Sequence, residues 1–382
     1  MPADPLTSDS IVELASALIR IPSVNPAIAP DEAHGEAAVA TFACEWLAAR
    51  GVRAWCEEVA PGRPNAVAEV GGETGPTLVL CAHLDTVGTA GMTIPPFAPE
   101  VRGGRLYGRG SYDMKGAAAA VMSAAAVLQR DGVPGRVRLA LVADEEHASL
   151  GAFDFVRRHP ADGCILTEAS AGALVLAHKG FVWAELVTRG RAAHGSRWDL
   201  GISAVARMGR IIAALDRFDR EVLRARIAPL VGPASMHCAV VQGGAGISTY
   251  APECRLEVER RTLPGETPAQ VLDEIARVVR EAGEEAEIRL LLDRAPLTGD
   301  RDSRLARCVR DAALAVTGAA PEERGVAYWM DAAVFAGAGI PAVNYGPDGA
   351  GAHEAVEWVD VDSLVTCARV LVDAARRFTA RS

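Results

Sequence analysis

The chain is predicted to be an α/β protein: a mostly parallel sheet covered by helices, into which a β-α-β-β-α-β (ferredoxin-like) unit is inserted. Three observations predict this. Short runs rich in Val, Leu and Ala alternate with helix-period stretches across 53–168 and again from 303 onward, the grammar of parallel strands joined by helices. Several of those runs end in His, Asp or Glu instead of turn residues. Between 180 and 292 the order becomes strand, helix, strand, strand, helix, strand, the split βαβ arrangement of a small four-stranded domain. At 382 residues the chain exceeds one ordinary core. We expect boundaries at 1–179, 180–293 and 294–382, the first and last forming one domain.

Composition narrows the function classes. Half of the residues are hydrophobic and 23% are charged, as in ordinary globular proteins. The net charge of −10, with no basic stripe, argues against a nucleic-acid partner. The arginines of 207–226 read as a solvated helix face. No apolar run reaches the roughly 18 residues of a membrane span, and the start Met1-Pro-Ala-Asp-Pro has no basic flank or apolar segment, so no secretory signal is expected. Eight scattered cysteines (44, 56, 81, 164, 238, 254, 308 and 367) form no Cys-x-x-Cys pair and read as reduced core thiols, with a cytoplasmic location expected.

Taken in order, Ser10-Ile-Val-Glu13 has capping-box spacing, and apolar residues at 11, 14, 18 and 19 continue with helical period. A second helix is expected over 36–50, stopping at Gly51. Strands follow at 53–57 and 65–70, and then comes Thr77-Leu-Val-Leu-Cys-Ala-His83-Leu-Asp85. Residues 102–107 lead into the glycine-bracketed stretch 108–116, an Ala-rich helix over 117–130 and a strand at 137–143. Asp144-Glu-Glu146 ends that strand. A helix at 152–158 precedes Cys164-Ile-Leu-Thr-Glu168. The inserted unit carries strands at 181–188, 235–242, 255–261 and 287–292, with helices at 202–218 and 268–282. A helix at 303–317, Tyr328-Trp-Met-Asp331 leading into 332–338, a strand at 340–345 and a last helix at 361–378 complete the chain. The loop 346–351 lacks the Gly-Lys-Ser/Thr ending of a phosphate loop and opens no helix. It reads as the approach to His353.

The chemistry-bearing residues gather at strand ends. His83 and Asp85 follow one strand, Glu145 and Glu146 another, Glu168 ends a third, and His353 lies beyond a fourth. In parallel α/β sheets, sites form outside the carboxyl ends of the strands. Asp113 sits in a loop where backbone approaches closely. Singly, Glu146 or Glu168 would read as a solvated strand end. Together, these groups would repel unless cations neutralise them. A metal pair needs a bridging carboxylate, terminal His and carboxylate ligands and a shared water.

The stretches Ala82-His-Leu-Asp-Thr86, Gly108-Arg-Gly-Ser-Tyr-Asp-Met-Lys-Gly116, Asp144-Glu-Glu146, Leu166-Thr-Glu168 and Ala352-His353 resemble the zinc aminoacylase family. That family includes acetylornithine deacetylase, succinyl-diaminopimelate desuccinylase and glutamate carboxypeptidase. The resemblance covers nearly the whole chain in the right order, inserted lid included. It implies two zinc ions, with Co or Mn as substitutes: His83 and Glu168 on one, Glu146 and His353 on the other, Asp113 bridging. The peptide after Asp113 is often cis in this family. By the same resemblance Asp85 orients His83 by accepting its other ring N–H. Glu145, left without a metal, is the general base on the bridging water. His194, in Gly190-Arg-Ala-Ala-His194-Gly-Ser196, stabilises the oxyanion, often from the partner subunit of a dimer. Arg261 pairs with the substrate carboxylate, a task suited to a guanidinium fork. Ser248 stands where many relatives carry an asparagine, a departure that bears on the substrate. The implied activity is an acetylornithine deacetylase-like deacylase acting on an N-acyl amino acid or related small carboxylate, in a homodimer formed through the lid. A metallo-exopeptidase acting on a short peptide is the alternative, and a non-catalytic metal-binding protein a second one.

Overall fold

The computed structural model describes residues 4–380, in two compact units. The first comprises residues up to Leu176, Gly299–Arg324 and Met330 onward; the second comprises Ala177–Thr298 and Gly325–Trp329.

In the first unit the sheet runs in the order Arg53–Ala60, Arg63–Gly71, Arg136–Val142, Thr77–His83, Gly163–Leu166, Ala342–Asn344, Leu174–His178. The four strands from Arg136–Val142 to Ala342–Asn344 are mutually parallel, and those flanking them pair antiparallel. The parallel strands are buried along almost their whole length, which is why they read as unbroken apolar runs. The helix Lys115–Asp131 lies in the core, and its alanines from Ala117 to Ala126 are almost completely buried. Such short side chains allow close packing of a helix on a sheet. Ser8–Arg20, Arg304–Thr317 and Val361–Thr379 share that apolar core.

Register sets the working edge. His83 pairs with Val142 and Cys81 with Leu166, so the strands carrying His83, Glu145–Glu146 and Glu168 end level with one another. A short ribbon, Glu100–Arg102, Arg105–Tyr107 and Trp358–Asp360, brings the 108–113 and 353–357 segments side by side. The ribbon strand at Trp358–Asp360 has no signature in the sequence, because three residues carry no period.

The second unit is a four-stranded antiparallel sheet in the order Ser235–Gly243, Glu253–Thr262, Gly180–Arg189, Glu287–Arg294. Val182, Ala184 and Leu186 on the central strand, with Leu256 and Val258 beside it, share a core with Met208, Ile211 and Leu215 of the helix Ala204–Glu221 and Val271 and Ile275 of the helix Pro268–Glu281. That is the β-α-β-β-α-β order expected from the sequence. Thr267 and Gln270 form a reciprocal capping box at the second helix.

The strands Leu174–His178 and Trp358–Asp360 are not among the elements expected from the sequence, and other elements differ at their ends. The first helix starts at Ser8, and the Thr7 hydroxyl, not Ser10, caps it by accepting the Ser10 N–H at 3.2 Å. All eight cysteines are free thiols; Cys81 and Cys164 are buried, whereas Cys56 is exposed. Among the described residues no helix is long and apolar enough to cross a membrane.

Candidate metal centre

His83 is the last residue of its strand and is fully buried. Its Nδ1 lies 2.9 Å from the backbone carbonyl of Asp85. An oxygen there can only accept, so Nδ1 carries the proton and Nε2 faces the site. Nε2 is 3.0 Å from Asp113 Oδ1 and 3.5 Å from Glu168 Oε1. On the other side His353, held at φ +62°, places its Nε2 3.2 Å from Asp113 Oδ2 and 3.1 Å from Glu146 Oε2. Two clusters result, His83–Asp113–Glu168 and Asp113–Glu146–His353, each with ligand atoms within 4.8 Å of one another. Asp113 belongs to both, one oxygen turned to each histidine. The Asp113–Met114 peptide is cis.

Asp85 joins neither cluster. Its carboxylate lies 3.6 Å from His83 Nδ1, and it is the Asp85 backbone carbonyl that accepts the ring N–H. Stronger donors draw the carboxylate away. It accepts from Asn25 Nδ2 at 2.7 Å and from the backbone N–H groups of Glu145 and Glu146, both at 3.1 Å. Asp85 therefore holds the turn that presents the two glutamates.

Asp144 holds the same turn from within, at φ +68°. Its carboxylate receives Arg63 Nη1 at 2.9 Å, Asn25 Nδ2 at 3.0 Å and the Ala148 N–H at 3.2 Å. Arg63 also donates to both oxygens of Glu36, its Nε at 2.7 Å. Glu36, Asn25 and Asp144 are fully buried. Sequence reasoning missed Asn25, Glu36 and Arg63, which lie far upstream of the glutamates and follow no strand end. Asp144 was legible only as the residue before them.

The electrostatics express crowding. Burial, then the charges of Asp113 and Glu146, push Glu168 up to about 8 despite His83. Burial, then the Glu168 carboxylate, raises Glu145 well above the carboxylate range. Burial and Asp113 raise Glu146. Burial alone would lower His83, but Glu168 and Asp113 outweigh it and hold the ring well above its ordinary value. Hydrogen bonds to Asp113 and Glu146 hold His353 up to about 10. Without cations the site retains protons that metal ions would displace.

The residues fit a pair of divalent cations. Ligands about 2.0–2.1 Å from a tetrahedral zinc stand roughly 3.3 Å apart, and the four His–carboxylate separations run from 3.0 to 3.5 Å. Glu146 Oε1 is buried with no hydrogen-bond partner, an orphaned acceptor that a cation would satisfy. Imidazole nitrogen and carboxylate oxygen form a donor set that zinc and its neighbours accept.

The remaining sequence-predicted residues lie in the second unit. The exposed His194 receives the Ser196 N–H on Nδ1 at 3.2 Å, with Ser196 Oγ at 2.8 Å. Its Nε2 thus carries the proton of the neutral ring. The Ser248 carbonyl accepts the Gly195 N–H at 2.7 Å, tying the two predicted segments together. Arg261 is half-buried over the Phe181 ring, and Glu259 accepts from its Nε at 2.7 Å. Its neighbour Arg260 is fully buried against Glu266.

Fold and clusters together define a metallohydrolase. Residues 79–377 match Peptidase family M20/M25/M40, and the chain belongs to that family of amide-bond hydrolases. It is 32% identical over 326 residues to an acetylornithine deacetylase of Myxococcus xanthus, covering 82% of this chain and 84% of the relative. It is 29% identical to the acetylornithine deacetylase of Vibrio atlanticus, covering 73% and 74% of the two chains. Among solved structures, the aminopeptidase PepT of Bacillus cereus superposes with TM-score 0.81 at 19% identity, over 98% of this chain and all of that one. The YXEP protein of Bacillus subtilis, described as a dinuclear metal binding peptidase, gives 0.76 at 17%, over 97% and 98%.

Proposed function

We propose that the protein is a di-zinc deacylase that hydrolyses the amide bond of an N-acyl amino acid or related small carboxylate. The observation that carries this reading is the position of Asp113 between two histidines, with a further carboxylate beside each. His83 and Glu168 would hold one ion and Glu146 and His353 the other, with Asp113 available to both. Bound there, the ions would supply Lewis acidity, which lowers the pKa of water toward about 7 and polarises a carbonyl.

Glu145 is the general base. It stands next to a ligand without joining either cluster, and burial, then the Glu168 carboxylate, raises its proton affinity above that of an ordinary carboxylate, the direction a general base needs. It removes a proton from the attacking water and delivers it to the leaving amine nitrogen. Asp85 fixes the backbone that aims it.

The segment 180–293 serves as lid and dimerisation domain. His194, protonated on Nε2, donates to the developing oxyanion. Arg261 receives the substrate carboxylate, exchanging part of its contact with Glu259 for it, and Ser248 supplies a short polar contact beside His194. The edge strand Ser235–Gly243, with Val240 and Val241 exposed, gives a second copy an unpaired edge to meet.

The acetylornithine deacetylases among the relatives favour deacylation over exopeptidase action. Hydrolysis rates on a panel of N-acetyl amino acids against a panel of dipeptides, with zinc or cobalt added, test the choice. Turnover confined to the N-acetyl panel is expected; turnover confined to dipeptides replaces the deacylase with an exopeptidase.

A further inference from the structure

A fully buried carboxylate, Glu357, lies beneath the loop that carries Asp113. Its Oε1 accepts the backbone N–H groups of Tyr112 at 2.9 Å and Asp113 at 3.0 Å. Its Oε2 accepts the Gly110 N–H at 3.0 Å and Arg109 Nη1 at 2.7 Å. Arg109 is itself buried and reaches the carbonyls of Gly88 and Glu354 at 3.2 and 3.4 Å. Three backbone donors within four residues thus converge on one side chain. The ribbon sets this placement: Trp358 pairs with Tyr107, and the Gly108 N–H donates to the Glu357 carbonyl at 3.2 Å. Glu357 also follows His353 by four residues, so one short segment carries a histidine of one cluster and the anchor of the aspartate shared by both.

A buried charge is costly unless it is paired and hydrogen-bonded. Apolar packing would hold a loop more cheaply but would not direct it. The consecutive backbone N–H groups of Tyr112 and Asp113, fixed to a carboxylate that is fixed in turn by an arginine, set the direction from which the Asp113 side chain leaves the backbone. Asp113 must aim one oxygen at each histidine, which makes orientation the demanding requirement at this residue.

We infer that Glu357, braced by Arg109, is a positioning residue that orients Asp113 for divalent-cation binding; this rests on the reading that Asp113 spans two ions. Supporting groups around metal ligands typically change affinity by about 10–100-fold when altered. Glu357→Gln keeps the shape but offers one acceptor oxygen where two are used. The test titrates metal-stripped full-length protein with Co²⁺, follows binding by calorimetry and bound metal by elemental analysis, and runs wild type, E357Q and Asp113→Asn together. E357Q should bind Co²⁺ about 10–100-fold more weakly with all ligands present, and the midpoint of activity against Co²⁺ should shift in step. A merely structural role would lower the melting temperature of the metal-free variant and leave the Co²⁺ affinity of the folded protein unmoved. Wild-type affinity in E357Q, with binding lost in D113N, overturns the positioning role alone. Wild-type affinity in D113N overturns the metal reading beneath it. Should E357Q melt without cooperativity, Arg109→Lys replaces it: weakened binding supports the role, and unchanged affinity overturns it.

Discussion

Replacing Arg63 with methionine keeps most of the side-chain volume and deletes the charge between Glu36 and Asp144. Both carboxylates are fully buried, and the Arg63 side chain is 11% exposed, so solvent and salt screen the interaction little. Removing one partner of a buried ion pair typically costs about 3–5 kcal/mol, because a charge is left without compensation. For a cooperative unit of roughly 150–250 residues that corresponds to a fall of about 6–20 °C in melting temperature. Burial already raises the proton affinity of Glu36, and the Arg63 hydrogen bond opposes it. In the variant Glu36 takes up a proton, so the penalty shrinks as pH falls from 7 toward 5. Adding Glu36→Gln removes one stranded charge and should recover about 1 kcal/mol or more, the size expected for residues in one network. Calorimetry of the four proteins of this cycle at pH 7 and pH 5, metal-loaded, provides the measurement. The variant should also lose activity, since Asp144 would no longer fix the turn presenting Glu145 and Glu146. A loss below about 1 kcal/mol for Arg63→Met, or no recovery in the double variant, refutes the claim that this arginine holds the turn by charge.

Glu145→Gln should retain both metal ions by elemental analysis while turnover falls by about 10²–10⁴, the usual share of general acid–base catalysis; substantial residual activity refutes Glu145 as the base. In metal-free protein Glu168 is held up to about 8 and His353 up to about 10, above their ordinary values of 4.5 and 6.5. The folded chain then binds more protons than the unfolded one, so stability falls as pH rises, through both groups between 6.5 and 8 and through His353 up to about 10. Thermal melts of stripped protein from pH 6.5 to 9 should descend, and a rising or flat profile contradicts the site electrostatics. The proposed dimer predicts that wild type sediments as a dimer and that Val241→Lys, which places a charge on the exposed edge strand, sediments as a monomer; a monomeric wild type refutes the dimer, and a dimeric variant moves the interface elsewhere.

The parallel core was legible because buried strands write themselves as apolar runs, and a run that stops at His83 or before Glu145 marks the sheet edge where ligands collect. The inserted unit was legible from its order of strands and helices; on its central strand Val182, Ala184 and Leu186 are buried, while Trp183, between the first two, is exposed. What stayed hidden is long-range and polar. Nothing near Arg63 says that it will meet Glu36 and Asp144, and Glu357 reads as one more acid beside a histidine. Hydrogen-bonded groups are brought together by tertiary packing and leave no period in the sequence. The same holds for Asp85, whose carboxylate is turned toward the glutamate turn by three donors, one from Asn25 and two from the turn itself.

The central claim is that two ions held through one shared aspartate perform the hydrolysis. Protein stripped by chelator and titrated with zinc should regain hydrolysis of an N-acetyl amino acid as it takes up two ions per chain, releasing protons as they bind. Activity that survives stripping, or that returns fully at one ion per chain with the second never bound, contradicts it.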